Sequence, residues 1–378
     1  MKERVLVAMS GGVDSSVAAA MLVRAGYDVV GATMKLYRDG AEVPDKPCCS
    51  LDSVNDARRI CEKLGVPHYV LNLETAFGHD VVDDFVNEYA NGRTPIPCVR
   101  CNTFTKFRDL VVKADGIDAK YVATGHYARI VDGALHRGAD ANKDQTYFLW
   151  GIDRSALSRM ILPIGEMTKP ETRALAEELG LHLVAQKPES QEICFVPDGN
   201  YAAILEQKLG ADAPSLSPGP FVTNDGTVVG THDGFARFTI GQRRGLPGGY
   251  AAPIFVTAIR PADRAVVVGP REELLGRGLV VREANWLASP MPSVGDRVGV
   301  RVRHRSPIAA AEIVRVEGAE VELALNEPVA AIAPGQSAVF YDGTRVLGGG
   351  VIEQAMGTRP ARPARPARAA LPLLEHRS

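Results

Sequence analysis

Two adjacent glycines between a short apolar run and a helical pattern are the feature that most constrains the fold of this chain. The run Val5 to Met9 is typical of a buried strand, and the pattern from Val17 to Arg24 predicts a helix that ends before Gly26. The loop between them reads Ser-Gly-Gly-Val-Asp-Ser-Ser over residues 10–16. Glycines let backbone N–H groups approach an anion, and a helix N-terminus adds partial positive charge. The segment therefore predicts a phosphate-binding loop.

Strand-like and helix-like patterns alternate after this loop. They occur in turn at residues 29–36, 53–64, 68–73, 77–90, 104–114 and 120–124. This order predicts an α/β domain with a doubly wound, mostly parallel sheet, helices on both faces, and ligands at the carboxyl ends of the strands. Thr168 and Glu171 form a capping-box pattern for a further helix that Gly180 ends. We place the first domain, including this helical connector, at residues 1–205.

The rest of the chain has the texture of β structure. A chain of 378 residues exceeds what one hydrophobic core supports, so several domains are expected. From Pro214 onward glycine and proline are frequent, and short alternating runs recur at residues 265–268, 297–302 and 321–325. We predict a central β domain at 206–275 and a C-terminal β-barrel that binds RNA at 276–357. An Ala-Arg-Pro repeat makes the tail, 358–378, a predicted disordered segment.

Composition limits the function classes. No apolar run approaches the ~20 residues of a membrane span, and the N-terminus lacks the features of a signal peptide, so we expect a cytoplasmic protein that does not bind membranes. The formal net charge of −2 excludes a uniformly basic nucleic-acid binder, although local basic patches remain compatible with it. The cysteines lie at positions 48, 49, 61, 98, 101 and 194. In a reducing compartment this distribution favours catalysis or metal binding over structural disulfides.

Two cysteine segments carry the strongest chemical signal. Cys98 and Cys101 follow Pro95 and Pro97 and precede a helical pattern, so we expect them on a stiff loop at a helix N-terminus, which would lower a thiol pKa. Cys194 lies in a polar stretch with charged neighbours, which also favours a reactive thiolate. Both segments are therefore candidates for thiol chemistry.

Three interpretations of these cysteines compete. Pro97-Cys98-x-x-Cys101 matches half of a zinc deaminase signature, but that chemistry needs His-x-Glu upstream, which His68 and His79 do not provide. A zinc site built from two ligand pairs does not suit the adjacent cysteines at positions 48 and 49. A redox or sulfur-transfer pair of Cys101 with Cys194 fits best with a phosphate loop that activates a carbonyl for displacement. We therefore predict no metal site formed by protein ligands alone.

Together these segments resemble the tRNA-specific 2-thiouridylase family over nearly the whole chain, up to about Gly357. The phosphate loop lacks the Gly-Lys pair of a Walker A motif and resembles the loop of enzymes that split ATP into AMP and pyrophosphate. The other matching segments are Cys101-Asn102 before Lys106-Phe107, Thr124-Gly125-His126-Tyr127, Lys143-Asp144-Gln145-x-Tyr147-Phe148-Leu149, Glu189-Ser190-Gln191-x-Ile193-Cys194-Phe195, Thr239-Ile240-Gly241-Gln242-Arg243-Arg244-Gly245-Leu246 and Pro334-Gly335-Gln336.

The resemblance implies a reaction. ATP, with Mg²⁺, would transfer AMP to the C2 oxygen of the wobble uridine of a tRNA anticodon, and sulfur would then displace AMP to give 2-thiouridine. Cys194 would carry the sulfur as a persulfide, loaded by a cysteine desulfurase or relay protein. Cys101 would be the second thiol, acting as a nucleophile towards the activated base or releasing the sulfur. Since release leaves a disulfide, the Cα atoms of the two cysteines must come within ~7 Å in some state.

The same resemblance implies the residues of the site. The target base must be unstacked and extruded to reach a buried thiol. Alternation in Arg301-Val302-Arg303-His304-Arg305 predicts basic groups on one side of a strand. The ATP-binding candidates are Ala8, Met9, Ser10, Gly11, Gly12, Val13, Asp14, Ser15, Met34 and Gly125, with Asp14 near magnesium. The target-base candidates are Ile96, Pro97 and Cys98. The tRNA-contact candidates are His126, Lys143, Asp144, Gln145, Arg303, His304 and Gln336.

Other hypotheses stay open at this stage. Cys98, a position that need not be cysteine in the family, raises a three-cysteine iron–sulfur site with Cys101 and Cys194. An ATP-pyrophosphatase ligase would need an amine site but no cysteine pair. An RNA-binding protein that uses nucleotide only as a switch would bind tRNA without modifying it.

Overall fold

A computed structural model describes residues 2–36, 51–187, 193–196 and 199–357. The adjacent cysteines at 48 and 49, the stretch 188–192 before Cys194, and the tail predicted to be disordered lie outside these residues. Over the described residues, no helix has both the length and the apolar character needed to cross a lipid bilayer.

The strands form three sheets. In chain order they are β1 Arg4–Ala8, β2 Asp28–Lys35, β3 His68–Asn72, β4 Tyr121–Ala123, β5 Ala128–Val131, β6 Ala134–Arg137, β7 Met160–Ile161, β8 Gly219–Val222, β9 Val228–His232, β10 Phe255–Arg260, β11 Ala265–Gly269, β12 Leu275–Trp286, β13 Arg297–Arg301, β14 Ala309–Glu317, β15 Glu320–Ala330, β16 Ser337–Asp342 and β17 Arg345–Met356.

Among the described residues, the α-helices all lie before Gly210. The α-helices are α1 Val13–Arg24, α2 Leu51–Leu64, α3 Glu74–Phe77, α4 Asp84–Ala90, α5 Pro97–Arg100, α6 Arg108–Asp115, α7 Lys169–Glu178, α8 His182–Ala185 and α9 Tyr201–Leu209. Two π-helical turns, Gly78–Asp83 and Cys101–Phe107, join α3 to α4 and α5 to α6. Short 3₁₀ turns lie at Thr146–Phe148, Arg154–Arg159, Phe235–Arg237, Pro261–Asp263 and Arg271–Leu274.

The N-terminal sheet is parallel throughout, which confirms the predicted α/β class. Its strands run in the order β3-β2-β1-β4-β7. The central strand β1 is almost entirely buried because it is covered on both faces. Val5 and Val7 pack into one apolar cluster with α1, whereas Leu6 and Ala8 pack into the other with the cysteine-bearing helix. Because successive side chains of a strand point to opposite faces, this one short strand contributes to two hydrophobic cores.

The strand order brings two loops together at the site. From β1 the chain builds outward through β2 and β3, then returns to place β4 on the other side of β1. The loop after β1 and the loop after β4 therefore leave the same edge of the sheet as neighbours. Such a switch point is where open α/β sheets bind their ligands. The capping box at Thr168 and Glu171, also confirmed, begins α7 beside α1 at this edge.

The last sheet closes into a six-stranded barrel, as predicted for the C-terminal segment. Strands β12-β15-β14-β13-β16-β17 are hydrogen-bonded in that order, and the β12–β17 pairing completes the ring. A hairpin from the N-terminal region, β5–β6, adds to this sheet through β17. The sequence interpretation missed the hairpin, although Asp132-Gly133 at its turn is a standard hairpin signal and both residues have positive φ. The remaining sheet, β10-β11-β8-β9, forms the central β region.

Candidate active site

The phosphate loop is held by its own hydroxyl groups and by one tight backbone approach. Ser15 Oγ accepts a hydrogen bond from Ser10 N (3.1 Å) and donates to Gly12 O (3.2 Å). Gly11 has φ +70°, and a Cβ there would lie 2.3 Å from Ser53 O. Gly12 is the extended residue that precedes α1, and no side chain caps the helix. The first N–H groups of α1 therefore stay directed at the loop, where an anion would bind.

The carboxylate of Asp14 lies beside this loop and has two side-chain partners among the described residues. Lys169 Nζ lies 2.8 Å from both carboxylate oxygens of Asp14, and Tyr127 OH donates to the same carboxylate at 2.9 Å. Tyr127 OH also lies 3.0 Å from Thr172 Oγ1. Lys169 is buried, and a buried ammonium group needs an opposite charge nearby, which Asp14 supplies. An ion pair between an ammonium group and a carboxylate thus lies at the edge of the sheet where phosphates would bind.

Gly125 fits against the backbone of the phosphate loop. A Cβ on Gly125 would lie 2.6 Å from both Asp14 C and Ser15 N, distances that real side chains do not tolerate. Met34, the other adenosine-side candidate, is buried in the main hydrophobic cluster. The structure therefore brings Gly125 to the loop and places the Met34 side chain in the core.

The cysteine segment is helical where the sequence analysis expected a loop. Ile96 precedes α5, Pro97 is its first residue, and Cys101 opens the π-helical turn that continues into α6. Proline at the first helical position explains this start, because its missing N–H has no partner there and its φ suits a helix. Cys101 is buried, whereas the side chain of Cys98 keeps solvent exposure. The helical segment begins at Pro97, seven residues before the predicted start at residue 104.

Three thiols share one neighbourhood. Cys101 lies in the main hydrophobic cluster, and Cys194, half-buried, packs against the same cluster. Cys98, Cys101 and Cys194 are close enough for their charges to interact. Upstream of Cys194, Lys187 Nζ donates to Gly11 O at 3.3 Å, which ties this segment to the phosphate loop.

The iron–sulfur hypothesis receives no geometric support. A cluster needs cysteine thiolates that converge on it. Within the described ranges, no group of three His, Cys, Asp or Glu side chains is arranged to hold a metal ion. We therefore derive no step through a cluster.

The expected lowering of the thiol pKa is wrong in this structure. Burial raises the pKa of Cys101 to about 12, and the charges of Cys194 and Cys98 add to the rise, whereas only Lys106 opposes it. The side chain of Cys98 keeps solvent exposure, and partial desolvation of its thiol raises the pKa to about 11. Desolvation of a thiolate thus outweighs the helix terminus. At neutral pH both groups are thiols.

Lys106 and His126 complete the surroundings of the cysteines. Lys106 lies on the π-helical turn, and its positive charge favours the thiolate of Cys101. Burial is the main cause that lowers the pKa of His126 to about 3, and the charge of Lys106 adds to it. This imidazole is therefore neutral at pH 7. Nδ1 of His126 lies 2.7 Å from Thr124 Oγ1, and its ring lies 5.9 Å from that of Phe107. His126 directly follows Gly125, so the cysteine neighbourhood adjoins the phosphate loop.

A pH titration of alkylation tests this electrostatic description. Because the thiolate is the reactive form, iodoacetamide labelling of Cys101 should rise roughly tenfold per pH unit between pH 7 and 10, without a plateau. Lys106→Met should raise the pKa further and slow labelling several-fold at a given pH. The readout is the labelled Cys101 peptide in mass spectrometry. Lys113→Met, an exposed change on the same helix, is the control. A plateau below pH 9, or equal rates in both variants, would contradict the description.

Asp144 is buried rather than open to RNA. Its Oδ2 accepts from Arg137 (3.0 Å) and Arg301 (3.2 Å), and its Oδ1 accepts from Thr146. Arg301 is itself buried, and strand β13 ends at this residue. The predicted row of basic groups on one side of a strand is therefore wrong, because Asp144 neutralises the first of them inside the protein.

Two of the remaining tRNA candidates, Arg303 and His304, contact residues of other domains. The ring of His304 lies 4.4 Å from the ring of Phe148 and is tilted by 51° to it, so the segment after β13 meets the segment that contains Lys143 and Gln145. Gln145 Oε1 accepts from Tyr127 N at 2.9 Å. Arg303, half-buried, donates through Nη2 to a carbonyl of the central β region, Ile240 O.

Gln336 has a structural contact that the sequence analysis did not foresee. Its Nε2 donates to Thr94 O at 3.0 Å, just before the cysteine-bearing helix. Lys169, the partner of Asp14, was not among the residues predicted from the sequence. A signal was available for Lys169, since the capping box places it first in a helix beside the sheet edge.

The fold and the site agree with family models along the chain. A model described as tRNA methyl transferase HUP domain matches residues 3–198. Models described as tRNA methyl transferase PRC-barrel domain and Aminomethyltransferase beta-barrel domain match residues 207–270 and 276–352. The chain is thus a HUP-domain protein with two further β domains; the domain limits at 205, 275 and 357 stay predictions.

Comparison with curated relatives shows which family the chain belongs to. The tRNA-specific 2-thiouridylase MnmA of Rhodospirillum centenum is 49% identical over 365 residues, covering 93% of this chain and 92% of that protein. The protein of the same name from Halothermothrix orenii is 44% identical over 360 residues, covering 93% and 99%. This chain belongs to the tRNA-specific 2-thiouridylase family. A solved 4-thiouridine synthetase–RNA complex with bound ATP has 20% identity and a TM-score of 0.35 over 55% of this chain and 51% of that one, a likeness too low to argue from.

Proposed function

We propose that this chain is a tRNA-uridine 2-sulfurtransferase that uses ATP to replace the C2 oxygen of the wobble uridine with sulfur. The observation that supports this best is the neighbourhood of Cys101 and Cys194 next to a phosphate loop of the ATP-pyrophosphatase type. A loop of this kind activates an oxygen as a leaving group, and two thiols can then supply and release sulfur. Family membership supports the same reaction.

In the first step, the C2 oxygen of the uracil attacks the α-phosphorus of ATP, and pyrophosphate leaves. Residues 8–15 and Gly125 would bind the phosphates, where N–H groups at the start of α1 stabilise the negative charge that builds up. Lys169, held beside the loop by Asp14, would add a positive charge to pyrophosphate. Mg²⁺ accepts one carboxylate together with phosphate oxygens, so Asp14 suits it as a protein ligand. The ion would neutralise phosphate charge.

In the second step, the terminal sulfur of a Cys194 persulfide attacks C2, and AMP leaves with the former C2 oxygen. Cys101 then attacks Sγ of Cys194 as a thiolate, and the proton that its thiol gives up ends on N3 of the uracil, which lost its own when the C2 oxygen was adenylated. The bond between Cys194 and the transferred sulfur breaks, its electron pair becomes that of the thiocarbonyl, and a Cys101–Cys194 disulfide forms. A thiol reductant supplies two electrons to reopen it. Because burial keeps Cys101 protonated, Lys106 has the role of favouring the thiolate.

The tRNA would lie across the cysteine-bearing helix and the barrel. Ile96, Pro97 and Cys98 at the start of the helix would contact the extruded base, and the exposed Cys98 is open to it. Of the tRNA candidates, His126 adjoins the cysteines, Lys143 and Gln145 lie in the segment that His304 meets, and Arg303 contacts the central β region. A persulfide donor protein would load Cys194. Free thiols and a tRNA substrate suit the reducing cytoplasm.

Mass spectrometry of tRNA nucleosides tests the proposed function. Unmodified tRNA incubated with the protein, ATP, Mg²⁺, a thiol reductant and a cysteine desulfurase with cysteine as the persulfide source should yield 2-thiouridine and equal amounts of AMP and pyrophosphate. Omitting ATP should abolish the product, since the C2 oxygen is then a poor leaving group. AMP formation without any sulfur in the base would support a ligase instead. Binding of tRNA without pyrophosphate release would support a nucleotide-dependent RNA binder.

A further inference from the structure

Arg100, the residue before Cys101, bridges the cysteine-bearing helix to the C-terminal barrel. Its Nη1 lies 2.6 Å from Glu283 Oε2 and its Nη2 lies 3.3 Å from Glu283 Oε1, a two-point contact with strand β12. Nη2 also lies 3.1 Å from Asp84 Oδ1. The guanidinium stands over the ring of Phe104 at 5.7 Å, and only 17% of the Arg100 side chain is exposed. The planar group is thus fixed on several sides.

The barrel adopts an unfavourable backbone conformation where it presents Glu283. This residue has φ +53°, in the left-handed region that residues with a Cβ seldom adopt. The pairing of β12 with β17 shifts register between Arg282 and Asn285, which marks a bulge. Bulges re-aim side chains, and left-handed non-glycine residues concentrate where function requires them. The Glu283 carboxylate is directed at Arg100, and it also contacts Arg282.

A second contact holds the other end of the same segment. Thr94 N donates to Pro334 O at 2.8 Å, and Gln336 Nε2 donates to Thr94 O at 3.0 Å. A Cβ on Gly335 would lie 2.8 Å from Thr94 N, so the approach is close. The barrel therefore contacts residues 94–100 at two places. One is Thr94, before the helix, and the other is Arg100, which directly precedes Cys101.

We propose that Arg100 is a positioning residue for sulfur transfer, held by Glu283 of the barrel so that the turn that begins at Cys101 keeps its place. This inference rests on the proposed function and adds a task for the barrel besides binding RNA. The phosphate loop has no contact with Glu283 among the described hydrogen bonds and ion pairs. The segment before Ile96 is held separately by the contacts of Thr94 with Pro334 and Gln336. Loss of the Glu283 contact should therefore affect the sulfur step and leave adenylation nearly unchanged.

The test compares Glu283→Gly with Glu353→Gln. Glycine removes the carboxylate and tolerates the left-handed conformation, so thermal stability should stay the same or rise. Single-turnover sulfur transfer to tRNA should fall about tenfold, while pyrophosphate release changes less than about twofold, because the cysteine turn alone loses its support. Glu283→Asp should recover most of the rate. Glu353 belongs to the same ion-pair network through Arg93 and Arg282 but does not contact Arg100, so its variant should behave as the native protein.

The outcomes separate this inference from the proposed function. If native protein makes no 2-thiouridine, the proposed function fails. If native protein does so and Glu283→Gly matches Glu353→Gln, only the inference fails. A parallel loss of stability, adenylation and sulfur transfer would also overturn it, since Glu283 would then merely support the fold. A selective loss of the sulfur step, recovered by aspartate, supports it.

Discussion

Replacing Cys194 with serine should reduce formation of 2-thiouridine by about 1,000-fold or more, while ATP-dependent pyrophosphate release on tRNA continues. A hydroxyl cannot carry the transferred sulfur as a persulfide, so the second step loses its donor. The phosphate loop and Asp14 are untouched, so the first step keeps its machinery. The measurement pairs nucleoside mass spectrometry with a pyrophosphate assay on one sample.

A second cysteine provides the control for this experiment. Cys61 is a free, buried thiol in the cluster behind the phosphate loop, where burial raises its pKa to about 11. Cys61→Ala should keep thiolation within a few-fold of the native rate, since an alanine fills most of that space. Retained thiolation in Cys194→Ser would rule out Cys194 as the sulfur carrier. Simultaneous loss of pyrophosphate release would point to a damaged fold.

Adding one methyl group at Gly125 should disable nucleotide chemistry. In Gly125→Ala, the new Cβ would sit 2.6 Å from the backbone at Asp14 and Ser15, and backbone cannot rotate away as a side chain can. The loop must shift, and a displacement of about 1 Å at a reacting group costs on the order of 100-fold in rate. Pyrophosphate release and ATP binding by calorimetry should both fall.

Gly78→Ala is the matched control for that change. Gly78 begins the other π-helical turn with φ −55°, and a Cβ there would meet nothing within 4 Å. This variant should bind ATP as the native protein does. Circular dichroism should show both variants folded. Normal ATP affinity in folded Gly125→Ala would mean that the loop after β4 does not shape the nucleotide site.

Local patterns predicted the local structure well. The apolar run Val5 to Met9, the Gly11-Gly12 pair and the Thr168 capping residue each determine conformation through interactions within a few residues. The parallel sheet followed because strand–helix alternation permits few topologies. The helix start at Pro97 was predicted too late, although proline at the first helical position was a usable signal.

Long-range contacts account for the errors. The pKa of Cys101 depends on which residues bury it, and burial reverses the direction that a helix terminus suggests. Asp144 and Arg301 are 157 positions apart, so their pairing could not be seen as a motif. The hairpin β5–β6 joins a barrel formed largely by the other end of the chain.

The sequence by itself determined the class of protein, the phosphate loop and the cysteines worth testing, because backbone conformation and chemical type depend on residue identity and short spacing. Only the tertiary structure decided the neighbourhood of Cys101 and Cys194, the protonation of the thiols and the contact from Glu283 to Arg100. The physical reason is that burial, charge interaction and bracing depend on distances in space, which chain folding sets between residues remote in sequence.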